Sequence, residues 1–246
     1  MKHGRLIAAA ATTGLVGSSL LLSIPAATAA PSMDKSNGKA SKTVTLEANL
    51  TDLNESGALG TATATVKNQK IENIAVSATG LEPDAPHAIH IHYGDDALNE
   101  CPTMADATQT RNDEAKTPRL NTADGLPAYG PIVVSLTTTG DTTPTSGLAL
   151  DRFPVSKDGN LSYSRDKIEL TDVAGTGYEG TGTAKQIADS IRDGEGVLVI
   201  HGNDYSINGK TNGMYDFESA GKSELDPAFP AEGTDPTSCG VLALAD

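Results

Sequence analysis

The sequence predicts an all-β fold, a sandwich or Greek-key barrel of eight short strands with long loops and one short helix. Apolar and polar residues alternate with period two in several short runs, the pattern of a half-buried strand. The 246 residues include 25 Gly and 13 Pro and only 4 % aromatic residues, a composition of many turns between short strands. One stretch repeats apolar residues at helical spacing instead.

Alternation is clearest at the start, where Val44, Leu46, Ala48 and Leu50 face one way and Thr43, Thr45, Glu47 and Asn49 the other. Ala62, Ala64 and Val66 repeat it against Thr61, Thr63 and Thr65, and Ile74, Val76 and Ala78 repeat it again before Gly80. A fourth strand is expected at His87–His92, a fifth at Ile132–Leu136, a sixth at Leu161–Ile168, a seventh at Val197–His201 and an eighth at Val241–Ala245. Such a series of short strands with turn signals between them belongs to a sandwich or a barrel. Ala184, Ile187, Ala188 and Ile191 recur at helical spacing, with Thr183 as N-cap and Gly194 just beyond the end. Two connections, 94–130 and 202–238, are too long for hairpins, and each follows a histidine-bearing strand. Leu126–Gly130 reads as the loop that enters the fifth strand.

Residues 1–29 read as an export signal, because Lys2, His3 and Arg5 precede an uncharged run that closes on Ala-Ala-Thr-Ala. Residues 30–42 read as a disordered lead-in, polar and charged, and 43–246 as the folded domain. No later stretch approaches the ~18 apolar residues that cross a bilayer, and no lipid or wall anchor is seen. A secreted, soluble protein is expected. The signal takes Lys2 and Arg5 but no acid from the 18 basic and 32 acidic residues, leaving a net charge of −16. Nucleic acid and anionic membranes are excluded as partners by such a surface.

Cys101 and Cys239 are the only cysteines. In an oxidising compartment an even pair is most simply one bridge; two free thiols or a metal thiolate are the alternatives.

Three of the five histidines fall within His87-Ala-Ile-His90-Ile-His92, and His201 ends an apolar strand. Side chains alternate along a strand, so His90 and His92 share one face while His87 points to the other with Ile89 and Ile91. Two imidazoles on one face form an incomplete ligand set, and imidazole is the commonest ligand for copper and zinc.

These residues resemble the copper/zinc superoxide dismutases. That family carries a strand of the form His-Gly-Phe-His-Val-His followed by a glycine and a disulfide cysteine, where this chain reads His87 to His92, Gly94 and Cys101. Its Val-Val-His strand is matched by Val199-Ile200-His201, and its Ala-Cys-Gly-Val-Ile-Gly-Ile-Ala strand by Ser238-Cys239-Gly240 through Ala245. A Lys-Asp-Gly turn stands at Lys157 to Gly159, so the resemblance covers about Val44 to Asp246. It implies an eight-stranded Greek-key β-barrel in which His90, His92 and His201 hold one copper ion per chain. It further implies that His87 buttresses the copper strand, that Asp204 orients a ligand imidazole by taking its other N–H, and that Cys101 and Cys239 form the intrasubunit bridge.

The departures bear on function. No histidine occurs from Tyr93 to Ile200, so the family's bridging histidine and two further zinc histidines have no counterpart, and Ala149 stands where the zinc aspartate belongs. Zinc is therefore not expected. Pro236 replaces the arginine that attracts and orients superoxide. Three imidazoles still suffice for trigonal Cu(I), but losing steering removes a factor of about 10–10³ in on-rate, and losing a proton donor about 10²–10⁴. The expectation is a secreted copper protein whose partner is superoxide, dismutated slowly at that one site. The alternatives are a non-enzymatic binder of free copper ion and a structural β-sandwich. A second resemblance, to secreted chordin-type domains, rests on the His-x-His strand and Gly130-Pro131-Ile132-Val133-Val134, covers only about Thr45 to Leu136, and implies a binding or structural module.

Overall fold

Strict alternation produces a strand with one dry face. β1 (Thr43–Asp52) buries Val44, Leu46, Ala48 and Leu50 and exposes the polar residues between them. β2 (Leu59–Lys67) and β3 (Lys70–Thr79) extend the ladder antiparallel to it. The computed structural model describes residues 43–174, 182–205 and 215–245; the export signal and the lead-in expected at 1–42 lie outside them.

The remaining elements follow in order. After β4 (Ile89–His92) come the two-residue β5 (Gln109–Thr110) and β6 (Pro118–Arg119), then α1 (Thr122–Tyr129) and β7 (Ile132–Ser135). β8 (Leu161–Glu169), α2 (Ala184–Arg192), β9 (Val197–His201), α3 (Ala231–Thr234), β10 (Pro236–Val241) and β11 (Ala243–Leu244) complete the described fold. The main sheet runs β7-β4-β9-β10-β1-β2-β3-β8, every neighbour antiparallel, with β11 pairing β1 off that path. It is mostly β, a curled sheet of half-barrel form with a few short helices. Side chains rather than a ladder tie its two edges together. On β8, Tyr163 Oη donates to the Thr137 carbonyl at 3.1 Å, and Arg165 donates to the Thr137 and Gly140 carbonyls at 2.5 Å each.

The concave side holds the main core, including Leu46, Ile71, Ile74, Ile89, Ile91, Leu136, Leu198 and Ile200, with Ile187 and Ile191 of α2 packed into it. α2 starts where its sequence says it should. Thr183 Oγ1 accepts from Gln186 N–H while Gln186 Oε1 accepts from Thr183 N–H, a capping box.

Two expectations are corrected. The last strand was expected at Val241–Ala245, but the long ladder is β10, which pairs β9 from Pro236 to Val241. Leu242 is fully buried and donates its N–H to the Gly196 carbonyl, and the chain then crosses to pair Ala243 with Glu47 of β1. The segment Leu126–Gly130, expected as loop, is the second half of α1 with Gly130 as its C-cap. Asn121 and Asp124 cap each other there at 2.7 and 3.1 Å, which starts a helix despite Gly125 and Pro127.

Candidate metal centre

The register of β4 against β9 decides which side chains meet. His90 lies opposite Val199 and His92 opposite Val197, while Ile89 and Ile91 oppose Ile200 and Leu198. Directly opposed residues share a face, so the isoleucines, Leu198 and Ile200 enter the core. The face carrying His90, His92, Val197 and Val199 also carries His201, two residues beyond Val199. Tyr129 and Gly130 of the 94–130 connection and Thr234 of α3 lie against the histidines of this face, all three of which are buried.

Each imidazole is held by a main-chain carbonyl. His90 Nε2 lies 3.1 Å from the Gly147 oxygen, His92 Nδ1 2.8 Å from Gly130, and His201 Nδ1 2.8 Å from Thr234. A carbonyl only accepts, so each of these nitrogens carries the proton and the tautomers are fixed. The opposite nitrogens, His90 Nδ1, His92 Nε2 and His201 Nε2, are left as bare acceptors, buried and without a hydrogen-bond partner. The ligand atoms of the three histidines lie within 4.8 Å of one another. Buried acceptors are rarely left unpaired, and three converging on one point fit a metal ion. This is the group of three or more His, Cys, Asp or Glu found converging among the described residues.

The elements that supply these carbonyls are themselves fixed. Gly130 takes φ of +78°, and a Cβ there would lie 2.5 Å from Gly94 N, so the α1 C-cap requires glycine and thereby places the His92 acceptor. Gly147 follows a tight turn, Pro144–Ser146, gathered by Asp141, whose Oδ1 accepts from Thr143 Oγ1 at 2.6 Å and Ser146 Oγ at 2.8 Å. Those hydrogen bonds hold the Asp141 carboxyl well below its ordinary pKa. Thr234 ends α3, and its carbonyl also accepts from Thr122 Oγ1 at 2.6 Å. Aromatic rings fill in behind: Tyr129 is 4.4 Å from His92 and Phe153 5.4 Å from His90, centroid to centroid.

His87 is buried, its Nδ1 3.0 Å from the His201 carbonyl and its Nε2 3.1 Å from that of Glu82, so it ties the segment entering β4 to the end of β9. Cys101 and Cys239 are disulfide-bonded, which removes the free-thiol and metal-thiolate alternatives. Asp204 was expected to take the N–H of a ligand imidazole; the N–H groups of His90, His92 and His201 face main-chain carbonyls of Gly147, Gly130 and Thr234. The charge of Asp204 acts on Glu232, which burial and then Asp204 push up to about 7. Pro236 is buried opposite His201 in the β9–β10 ladder. Of the other basic residues, Arg111 pairs with Glu55 and stacks on Tyr205, Arg119 pairs with Asp235 and Glu224, and Arg152 pairs with Asp141.

Burial disfavours the imidazolium forms. His92 is lowered to about 3 by desolvation and then by His201, His201 to about 4 by desolvation, and His90 well below its ordinary value by desolvation and by its two neighbours. A metal competes with protons for these nitrogens. Ordinary imidazoles near 6.5 take up protons between pH 7 and 5, whereas burial keeps His92 and His201 neutral over that range and shifts His90 in the same direction. Metal affinity measured by competition with a chelator of known pH dependence should therefore hold nearly constant from pH 7 to 5. A drop of about tenfold or more per pH unit over that range would show imidazoles of ordinary basicity.

No protein-family model matches the chain, and no curated protein matches it.

Proposed function

We propose that the chain is an exported copper protein of the superoxide dismutase type, a Greek-key barrel holding one copper ion at His90, His92 and His201 without zinc beside it. The observation that carries this is the convergence of three buried, unprotonated and unpartnered imidazole nitrogens from two neighbouring strands. An all-nitrogen set of imidazoles suits several transition metals, and the order of affinities for such sites peaks at copper. The bridge from the loop after the histidine strand to β10 supports the same reading.

Copper bound there would supply one-electron exchange between Cu(I) and Cu(II). The chain's contribution is to fix each ligand ring through a carbonyl, to keep the ligand nitrogens unprotonated, and to enclose them. Arg111, Arg119 and Arg152 are each paired with carboxylates, which offsets their charge for the steering of an anion. This last observation also favours a second reading, copper sequestration without turnover.

Superoxide decay over copper-loaded protein separates the two. The expected rate constant falls well below the diffusion-limited ~10⁸–10⁹ M⁻¹s⁻¹ and does not rise as salt is removed, because the net charge is repulsive. A fast rate that falls with added salt would contradict the slow-enzyme reading. Copper bound without any activity would establish sequestration.

A further inference from the structure

A cleft of about 340 Å³ adjoins the centre, lined by His90 and His201 and walled by Ala88, Ile132, Leu148 and Leu225 among others. Among the described residues no Asp, Glu, Lys or Arg lines it. Apart from the ring nitrogens of His90 and His201 that converge on the metal site, the polar groups along it are engaged: Thr122 Oγ1 donates to the Thr234 carbonyl, Thr145 Oγ1 lies 2.7 Å from Thr143 Oγ1, and the Gly147 and Thr234 carbonyls accept from the two histidines. In the metal-free protein a charged ligand entering would give up its hydration without meeting a counter-charge. An apolar one would be desolvated favourably. Leu225 forms part of this wall and is 44 % exposed, so the cleft reaches the surface there.

We propose that this cleft is the ligand pocket of the centre and that it takes a small, uncharged, largely apolar organic molecule of about one ring with a short substituent. The volume sets the size. A cavity of about 150 Å³ takes benzene, and small-molecule pockets begin near 300 Å³, so this one holds a substituted ring and excludes a macromolecule. Presentation of that ligand to bound copper rests on the reading given above, but binding in the cleft does not, since its walls are formed by the protein alone.

Three molecules of nearly equal shape test the claim: benzyl alcohol, benzoate and benzylammonium. Each is titrated into metal-free and Cu(I)-loaded protein while the methyl resonances of Leu148, Leu150 and Leu225 are followed by NMR, and copper content is measured on the same samples. Benzyl alcohol should shift those methyls and saturate in both forms, with both ions at least tenfold weaker in the metal-free protein. Leu225→Arg, at an exposed position that tolerates a charge, should weaken benzyl alcohol and bring benzoate in. Benzoate binding the metal-free unaltered protein as tightly as benzyl alcohol would overturn the proposal, and so would benzyl alcohol failing to bind while copper is held. Benzyl alcohol bound in the cleft of protein that takes up no copper would support the pocket and sink the copper reading instead.

Discussion

Replacing Cys101 and Cys239 together by serine is expected to destabilise the metal-free protein by about 2–5 kcal/mol. The bridged residues lie 138 apart in sequence, and on the chain-entropy account closing so long a loop is worth ~5 kcal/mol, which is the upper figure. The consequence reaches the metal centre. Cys239 sits opposite Val199 in the ladder, two residues before His201, and Cys101 belongs to the loop that covers His92. The Glu100 N–H donates to the Ala128 carbonyl in α1, whose C-cap Gly130 holds the His92 ring. Denaturant unfolding of oxidised wild type and the double serine variant, both metal-free, measures the loss. A difference under about 1 kcal/mol would mean that the 94–130 connection is held without the bridge.

Arg119→Met should be comparably costly, for a different reason. Arg119 and Asp235 are almost wholly buried and joined by two hydrogen bonds of 2.9 and 2.8 Å, with Glu224 also on the guanidinium and Tyr205 Oη on Asp235 at 2.7 Å. Removing one partner of a buried pair strands the other charge and costs roughly 3–5 kcal/mol, whereas replacing both by apolar residues is often close to neutral. Arg119→Met should therefore lose that amount, and adding Asp235→Leu should recover more than half of it. Copper affinity should fall with the single variant as well, because Asp235 directly follows Thr234, whose carbonyl orients His201, and accepts the Gly202 N–H at 2.9 Å. Unfolding free energy and copper competition on the three proteins test this. Wild-type stability in Arg119→Met would show that the pair is dispensable.

Much of the sheet is legible because its physics is local. Alternation along β1, β2 and β3 needs no knowledge of partners, and Thr183 with Gln186 announces α2 within four residues. The shared face of His90 and His92 follows from strand geometry alone, but the alignment of His201 with them depends on the β4–β9 register, which two runs of apolar residues do not specify. α1 carries a readable signal, Asn121 three residues before Asp124, masked by the poor helix formers Gly125 and Pro127. The end of β10 is set by where Leu242 turns toward Gly196, a long-range event. Least legible are the groups that orient the ligands. They are carbonyls of Gly130, Gly147 and Thr234, and a carbonyl is the same in every residue, so a search for carboxylates leads to Asp204 instead.

Metal content tests the central claim most directly. Purified protein is loaded with copper and zinc in equal excess, dialysed and assayed for both metals, beside His201→Ala treated in the same way. The account predicts one tightly held copper per chain, no stoichiometric zinc, and loss of the copper in His201→Ala, since two ligands from one strand cannot enclose the ion. Protein that retains no copper, or that holds two metal ions per chain, would contradict it.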